Sequence, residues 1–120
     1  TKHPHFSYEV DALLGFTLEI FKNTVRTGTT IQTVHNRDHN STTVAGMTVH
    51  KGQSGGSTDG TRFAWRQAGS SVANGKLSGS SRDNTEFIFK QNTKVLFRIT
   101  SLAANNVVAV RFNWYEHAAD

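Results

Sequence analysis

The sequence predicts an all-β protein, an antiparallel, jelly-roll-like β-sandwich of about eight strands in one domain over residues 1–120. Three observations lead there. Apolar residues alternate with polar ones in stretch after stretch, which marks half-buried strands. No apolar repeat of helical spacing extends over a useful length. Ser and Thr together count 25, Asn 9 and Gly 10, against one Pro, and small polar residues of this kind favour strands and turns over helix interiors.

The elements follow in order. Phe6, Tyr8 and Val10 alternate with His5, Ser7 and Glu9, and Asp11 to Gly15 is a turn. Phe16, Leu18 and Ile20 alternate with Thr17, Glu19 and Phe21. Asn23 to Thr30 is a connection, Ile31 to His35 a strand, and Thr42 to Lys51 a strand broken at Gly46. Gly52 to Gly60 is a flexible loop by composition. Thr61 to Gln67 is a strand with Phe63 and Trp65 on one side, or with a bulge nearby. Gly69 to Ser81 is Gly/Ser-rich with a weak strand around Lys76–Leu77. Glu86 to Lys90, Lys94 to Leu102 and Val107 to Glu116 close the chain as strands. Phe63, Trp65, Phe87, Phe89, Phe97, Phe112 and Trp114 are read as core.

The last two strands are expected to pair as a hairpin. A tight turn at Ala104–Asn105 sets Ile99 opposite Val110, Phe97 opposite Phe112 and Val95 opposite Trp114, all on one face. A one-residue slip would turn one set to solvent. The same register opposes Arg98 and Arg111, an unfavourable like-charge pair. Either Glu116, Glu86 or solvent screens it, or the two guanidinium groups await a carboxylate on a partner surface. Tyr115 is expected on the outer face beside Lys94.

Cysteine is absent, which excludes a disulfide scaffold, a thiolate zinc site and a Cys nucleophile. No apolar stretch approaches the roughly 18–20 residues of a helical membrane span. The sequence begins without Met, so Thr1 follows processing or the chain is a piece of something longer. The net charge is +4, and the whole excess lies in residues 37–82, where bases face only Asp38 and Asp59. Such a region can steer an acidic partner, but its dispersed bases match no nucleic-acid-binding motif.

Chemistry is thinly represented. His35 and His39 stand four apart in a run of turn formers, where no helix face unites them, and no H-E-x-x-H pattern occurs. His3 and His5 could line up on one side of a strand, although a terminal tail is usually mobile. No G-x-S-x-G elbow, phosphate loop or evident carboxylate pair of the glycosidase kind is present. The expectation is a protein that is not an enzyme, with no cofactor and no metal.

Two stretches carry a resemblance. One is His35-Asn36-Arg37-Asp38-His39-Asn40-Ser41 with Thr48-Val49-His50. The other runs from Asn92-Thr93-Lys94 through Leu96 and Arg98-Ile99-Thr100 to Phe112-Asn113-Trp114-Tyr115-Glu116. Together they resemble a family of small tailed-phage virion proteins, the β-sandwich capsid decoration or cement proteins. There an N-R-N-R-N-S-style turn follows a strand, and P-N-T-K-Y-L-x-R-x-T-N-x-S and F-x-x-x-W-Y-E strands end the domain. Here Gln91 replaces the Pro, Val95 the aromatic, and Asp38–His39 interrupt the Asn/Arg alternation. Related chains carry additional residues ahead of the region that starts here.

The resemblance implies a structural protein made in the host cytoplasm and bound to the outer capsid surface of the virion. Its partner would be the major capsid protein, bridged as a dimer or trimer, with no direct nucleic acid and no membrane. Multivalent engagement makes modest contacts effectively permanent. Candidate capsid-binding residues are Arg37, Arg62, Arg66, Lys76, Arg98 and Arg111. Asn36, Asp38 and Asn40 either dock or hold their own turn. The alternative is a carbohydrate- or receptor-binding sandwich of a head fibre or tail that stacks sugars on Tyr115.

Overall fold

The computed structural model describes residues 2–69, 77–80 and 86–118. Its strands in chain order are β1 (Lys2–Ala12), β2 (Phe16–Lys22), β3 (Val25–Thr27), β4 (Thr30–Gln32), β5 (Val49–Lys51), β6 (Gly55–Thr58), β7 (Thr61–Ala68), β8 (Leu77–Ser80), β9 (Phe87–Ile88), β10 (Val95–Ser101) and β11 (Val108–Ala118). The architecture is all-β and antiparallel. Lys76 lies outside the described residues.

Two sheets form the sandwich. The first has the order β11-β1-β8, with β9 also on β1; the second has the order β10-β2-β7. The turn after β1 therefore crosses from one sheet to the other, as do the connections after β7, β9 and β10. β1 is no mobile tail: it pairs with β11 along its whole length, from Lys2 opposite Ala118 to Ala12 opposite Val108. Each sheet turns its alternating apolar set inward. Val10 and Phe16 are fully buried, Leu18 and Ile20 all but fully, and each such side chain contributes about 1.5–3 kcal/mol.

The expected terminal hairpin is wrong in its hydrogen bonding and right in its facing. β10 pairs with β2 and β11 with β1, so the turn at Asn105 (φ 58°) carries the chain between sheets. Phe97 and Phe112 still meet, with ring centroids 4.9 Å apart, but across the sandwich. Phe97 also contacts Phe6 at 5.2 Å and Tyr8 at 5.7 Å. The expected opposition of Arg98 and Arg111 disappears with the hairpin. Arg98 stands opposite Glu19 and Arg111 opposite Glu9. Tyr115 stands opposite His5 in the first sheet, while Lys94 sits at the start of β10 in the second.

A bulge in the β2–β7 ladder falls between Ile20 and Phe21 and leaves Phe63 unpaired. Phe63 packs on the core. Trp65 turns to the outer face and is 56% exposed, which corrects its assignment to the core.

Residues 23–60 form an arm whose loop is 33–48, so the strands expected over Ile31–His35 and Thr42–Lys51 shrink to Thr30–Gln32 and Val49–Lys51. β3 pairs with β6 and, further out, β4 pairs with β5. Gly52–Gly60, expected as a flexible loop, thus contains β6, and the connection Asn23–Thr30 contains β3. At the root Gly60 has φ +92°, and a Cβ there would sit 2.1 Å from the Lys22 carbonyl oxygen. Only glycine fits such a bend.

Asn106 joins two of the sheet-crossing turns, those after β1 and β10. Its side-chain oxygen accepts the Leu14 N–H at 2.7 Å, and its amide donates to the Leu14 and Gly15 carbonyls at 3.1 and 3.0 Å. Replacing it leaves several partly buried backbone groups unpaired. Asn106→Ala is expected to cost about 2–3 kcal/mol in urea denaturation, whereas Asn105→Gly, which keeps the positive φ, should change stability little.

Candidate functional site

The outer face of the second sheet carries the densest charge cluster. Strand register places Glu19 and Phe21 of β2, Leu96 and Arg98 of β10, and Trp65 of β7 on this face. Arg62 joins them because of the bulge: in a regular strand, residues 62 and 65 would point to opposite faces. The arm root supplies Asp59 and Arg26.

Glu19 is the hub. One carboxylate oxygen accepts from the Arg62 guanidinium at 3.0 Å and the other from Arg98 Nε at 3.3 Å. Arg98 reaches on to Asp59 at 2.8 Å, and Asp59 also pairs with Arg26. The Arg98 guanidinium carbon lies 4.8 Å from the Phe21 ring centre, so it caps a buried aromatic as well. The hydrogen bond from Arg62 holds the Glu19 carboxyl below its ordinary value; desolvation opposes this, and the bond and charge of Arg98 add to it. Three guanidinium groups share two carboxylates, which leaves a fixed cationic surface next to Trp65.

The sequence candidates do not form one basic surface. Arg62 and Arg98 come together through Glu19. Arg66 stands opposite Leu18, on the inward-turned side of β7, where its charge acts on Tyr8. Arg111 is on the outer face of the first sheet. Arg37 sits in the arm loop with Asn36, Asp38 and Asn40, and those three hold their own turn. The Asp38 N–H donates to Asn36 Oδ1 at 2.9 Å and the Asn40 N–H to Asp38 Oδ1 at 3.1 Å. The Asn36 amide spans the loop to the Thr43 carbonyl at 3.2 Å.

A second cluster lies on the outer face of the first sheet. His5 stacks on Tyr115 with ring centroids 4.5 Å apart. Its Nδ1 is 2.6 Å from a Glu86 carboxylate oxygen and 2.9 Å from the Tyr115 hydroxyl. His117 tilts against His5 at 4.4 Å, so the alignment expected of His3 and His5 is real and gains a third ring. Desolvation, then the charge of Glu86, raises the Tyr115 pKa above 10.0. The described residues bring no three His, Asp or Glu side chains into a metal-holding arrangement.

This cluster opens into a cleft of about 1430 Å³ between the arm loop and the first sheet, lined among others by His5, Glu86, Arg37 and the run Arg111 to Glu116. The arm loop is pinned there by Glu116, whose carboxylate accepts the Gly46 and Met47 N–H groups at 3.1 and 2.9 Å. Asp59 as a partner of Arg98, and the exposure of Trp65, were not readable from local pattern; the bulge was the one signal for the latter.

Arg98→Ala removes two carboxylate contacts and the cover on Phe21, and is expected to cost about 1–2 kcal/mol in chemical denaturation. A depressed carboxyl contributes stability that is present above its ordinary value and lost as pH falls through the folded one. The Tm should therefore fall on acidification below pH 4.5, and Glu19→Gln should flatten that part of the curve. Comparison of the chain with family models, with curated proteins and with solved structures finds no match.

Proposed function

We propose that the chain is a non-catalytic structural protein of a phage virion. It decorates the outer surface of the major capsid protein lattice and stabilises the head. One observation carries the reading: Trp65, 56% exposed, stands on a rigid sheet face beside guanidinium groups already fixed by Glu19 and Asp59. Trp and Arg are the residues most enriched where binding energy concentrates, and preorganised side chains lose little entropy on docking. The arm adds exposed apolar side chains, Ile31 at 65% and Val44 at 84%.

The architecture agrees with that role. The two antiparallel sheet orders β11-β1-β8 and β10-β2-β7 are compatible with a jelly roll, an architecture of viral capsid and lectin domains alike. No helix among the described residues is long and apolar enough to cross a membrane. A second reading, a receptor- or glycan-binding sandwich, draws on Tyr115 and Glu86 in the cleft, where a ring and a carboxylate lie together.

Mass spectrometry of purified virions should find the chain in a copy number near that of the major capsid protein. Trp65→Ala should lower shell occupancy at least about tenfold with unchanged circular dichroism and Tm, because the ring supports no core. A few copies per particle, or full occupancy by the variant, would overturn the proposal. A glycan-array signal abolished by Tyr115→Ala would favour the second reading.

A further inference from the structure

The two sheets are unequal at their edges. β7, one edge of the second sheet, carries a bulge and two arginines, features that discourage strand addition. Among the described residues, β11 is the outermost strand of the first sheet on the side away from β8 and β9. It is 11 residues long, has no bulge in its register with β1, contains no Pro, and between Ala109 and Tyr115 carries a single charged side chain, Arg111. A long regular edge of this kind offers a row of backbone donors and acceptors to another strand. The inward side chains next to it are incompletely covered. Phe112, Trp114 and Val110 are only half-buried, while Val10 on the neighbouring strand is fully buried.

We infer that β11 pairs antiparallel with β11 of a second copy about a twofold axis at Asn113, joining two first sheets into one. The strand is self-complementary in that register. Residues i and 226 − i oppose each other, so Phe112 faces Trp114 on the core side, twice. On the outer side Arg111 faces Tyr115, a cation–π pair, and Ala109 faces His117. No like charges meet. Aromatic cross-strand pairs are among the stabilising ones, and a twofold contact closes on itself rather than growing into a fibre.

The cleft extends from the outer-face residues His5, Glu9 and Glu86 to the β11 edge, where an incoming strand would lie. Arg111 to Glu116 line it consecutively, residues of both faces together, and residues 31–39 and 41–45 of the arm loop stand on the other side. Each arm would then embrace the partner's edge. This surface is separate from the face of Trp65, so a dimer leaves that face free.

The absence of cysteine makes the test direct. Sedimentation of the wild-type chain should give twice 13.2 kDa across a concentration series. Asn113→Cys places two thiols on the axis, with Cα atoms about 4.5–5.5 Å apart in either type of antiparallel pair, within disulfide reach. Mild oxidation should convert it to covalent dimer at least about fivefold more than Thr100→Cys, a control exposed on β10 in the second sheet. A monomer at all concentrations overturns the inference, as does equal cross-linking of the two variants. A monomer that still coats shells would leave the Trp65 reading standing, and a cross-linking dimer that binds no shell would do the reverse.

Discussion

The sandwich depends on one contact zone, the rings that meet between the sheets around Phe97. Phe6, Tyr8 and Phe112 of the first sheet all lie within 6 Å of it. Phe63 and Phe87 meet edge to face at 5.3 Å further along. Offset and tilted rings interlock, whereas parallel sheets of aliphatic side chains could slide. In a chain with no cysteine and, among the described residues, only four fully buried apolar side chains, that interlocking fixes the relative position of the layers. The outer faces can carry charge and exposed rings because the inner faces already hold the fold.

Charge placement follows from this arrangement. With β10 and β11 in different sheets, each arginine finds a glutamate opposite, Glu19 for Arg98 and Glu9 for Arg111. The network around Glu19 then ties three elements distant in sequence: the β2–β7 hairpin, β10 and the arm root. Its groups are part-exposed, so its value lies less in net stability than in orientation. It ties the arm root to the sheet and holds the Arg62 and Arg98 guanidinium groups on the same outer face as Trp65. The arm returns on the other side, where Glu116 receives its backbone.

The single unpaired residue at Phe63 shows how a local irregularity makes a surface. Alternation alone would have placed Phe63 and Trp65 together in the core. The bulge sends one inward and the other outward, and it brings Arg62 to the side of Trp65. Of the candidate residues, Asn36, Asp38 and Asn40 were legible as a self-bonded turn, because Asx side chains bond their own backbone within two residues. Arg62 and Arg98 were legible as cations and not as partners of Glu19 and Asp59, since those pairs span long stretches of chain.

Sequence by itself determined the class and the inward faces. Side chains alternate with a period of two, so Phe6, Tyr8 and Val10, Phe16, Leu18 and Ile20, and Val95, Phe97 and Ile99 declare their sides without reference to any neighbour. It also located most turns, through Gly and Asn. Only the tertiary structure decided which strand bonds to which. A hairpin and a crossover between layers bring Phe97 against Phe112 equally well, and the same short turn at Asn105 serves both. The choice was made by contacts that no local pattern records: Asn106 tying two remote turns, Glu19 and Asp59 claiming Arg98, and the core closing over Phe16 and Val10.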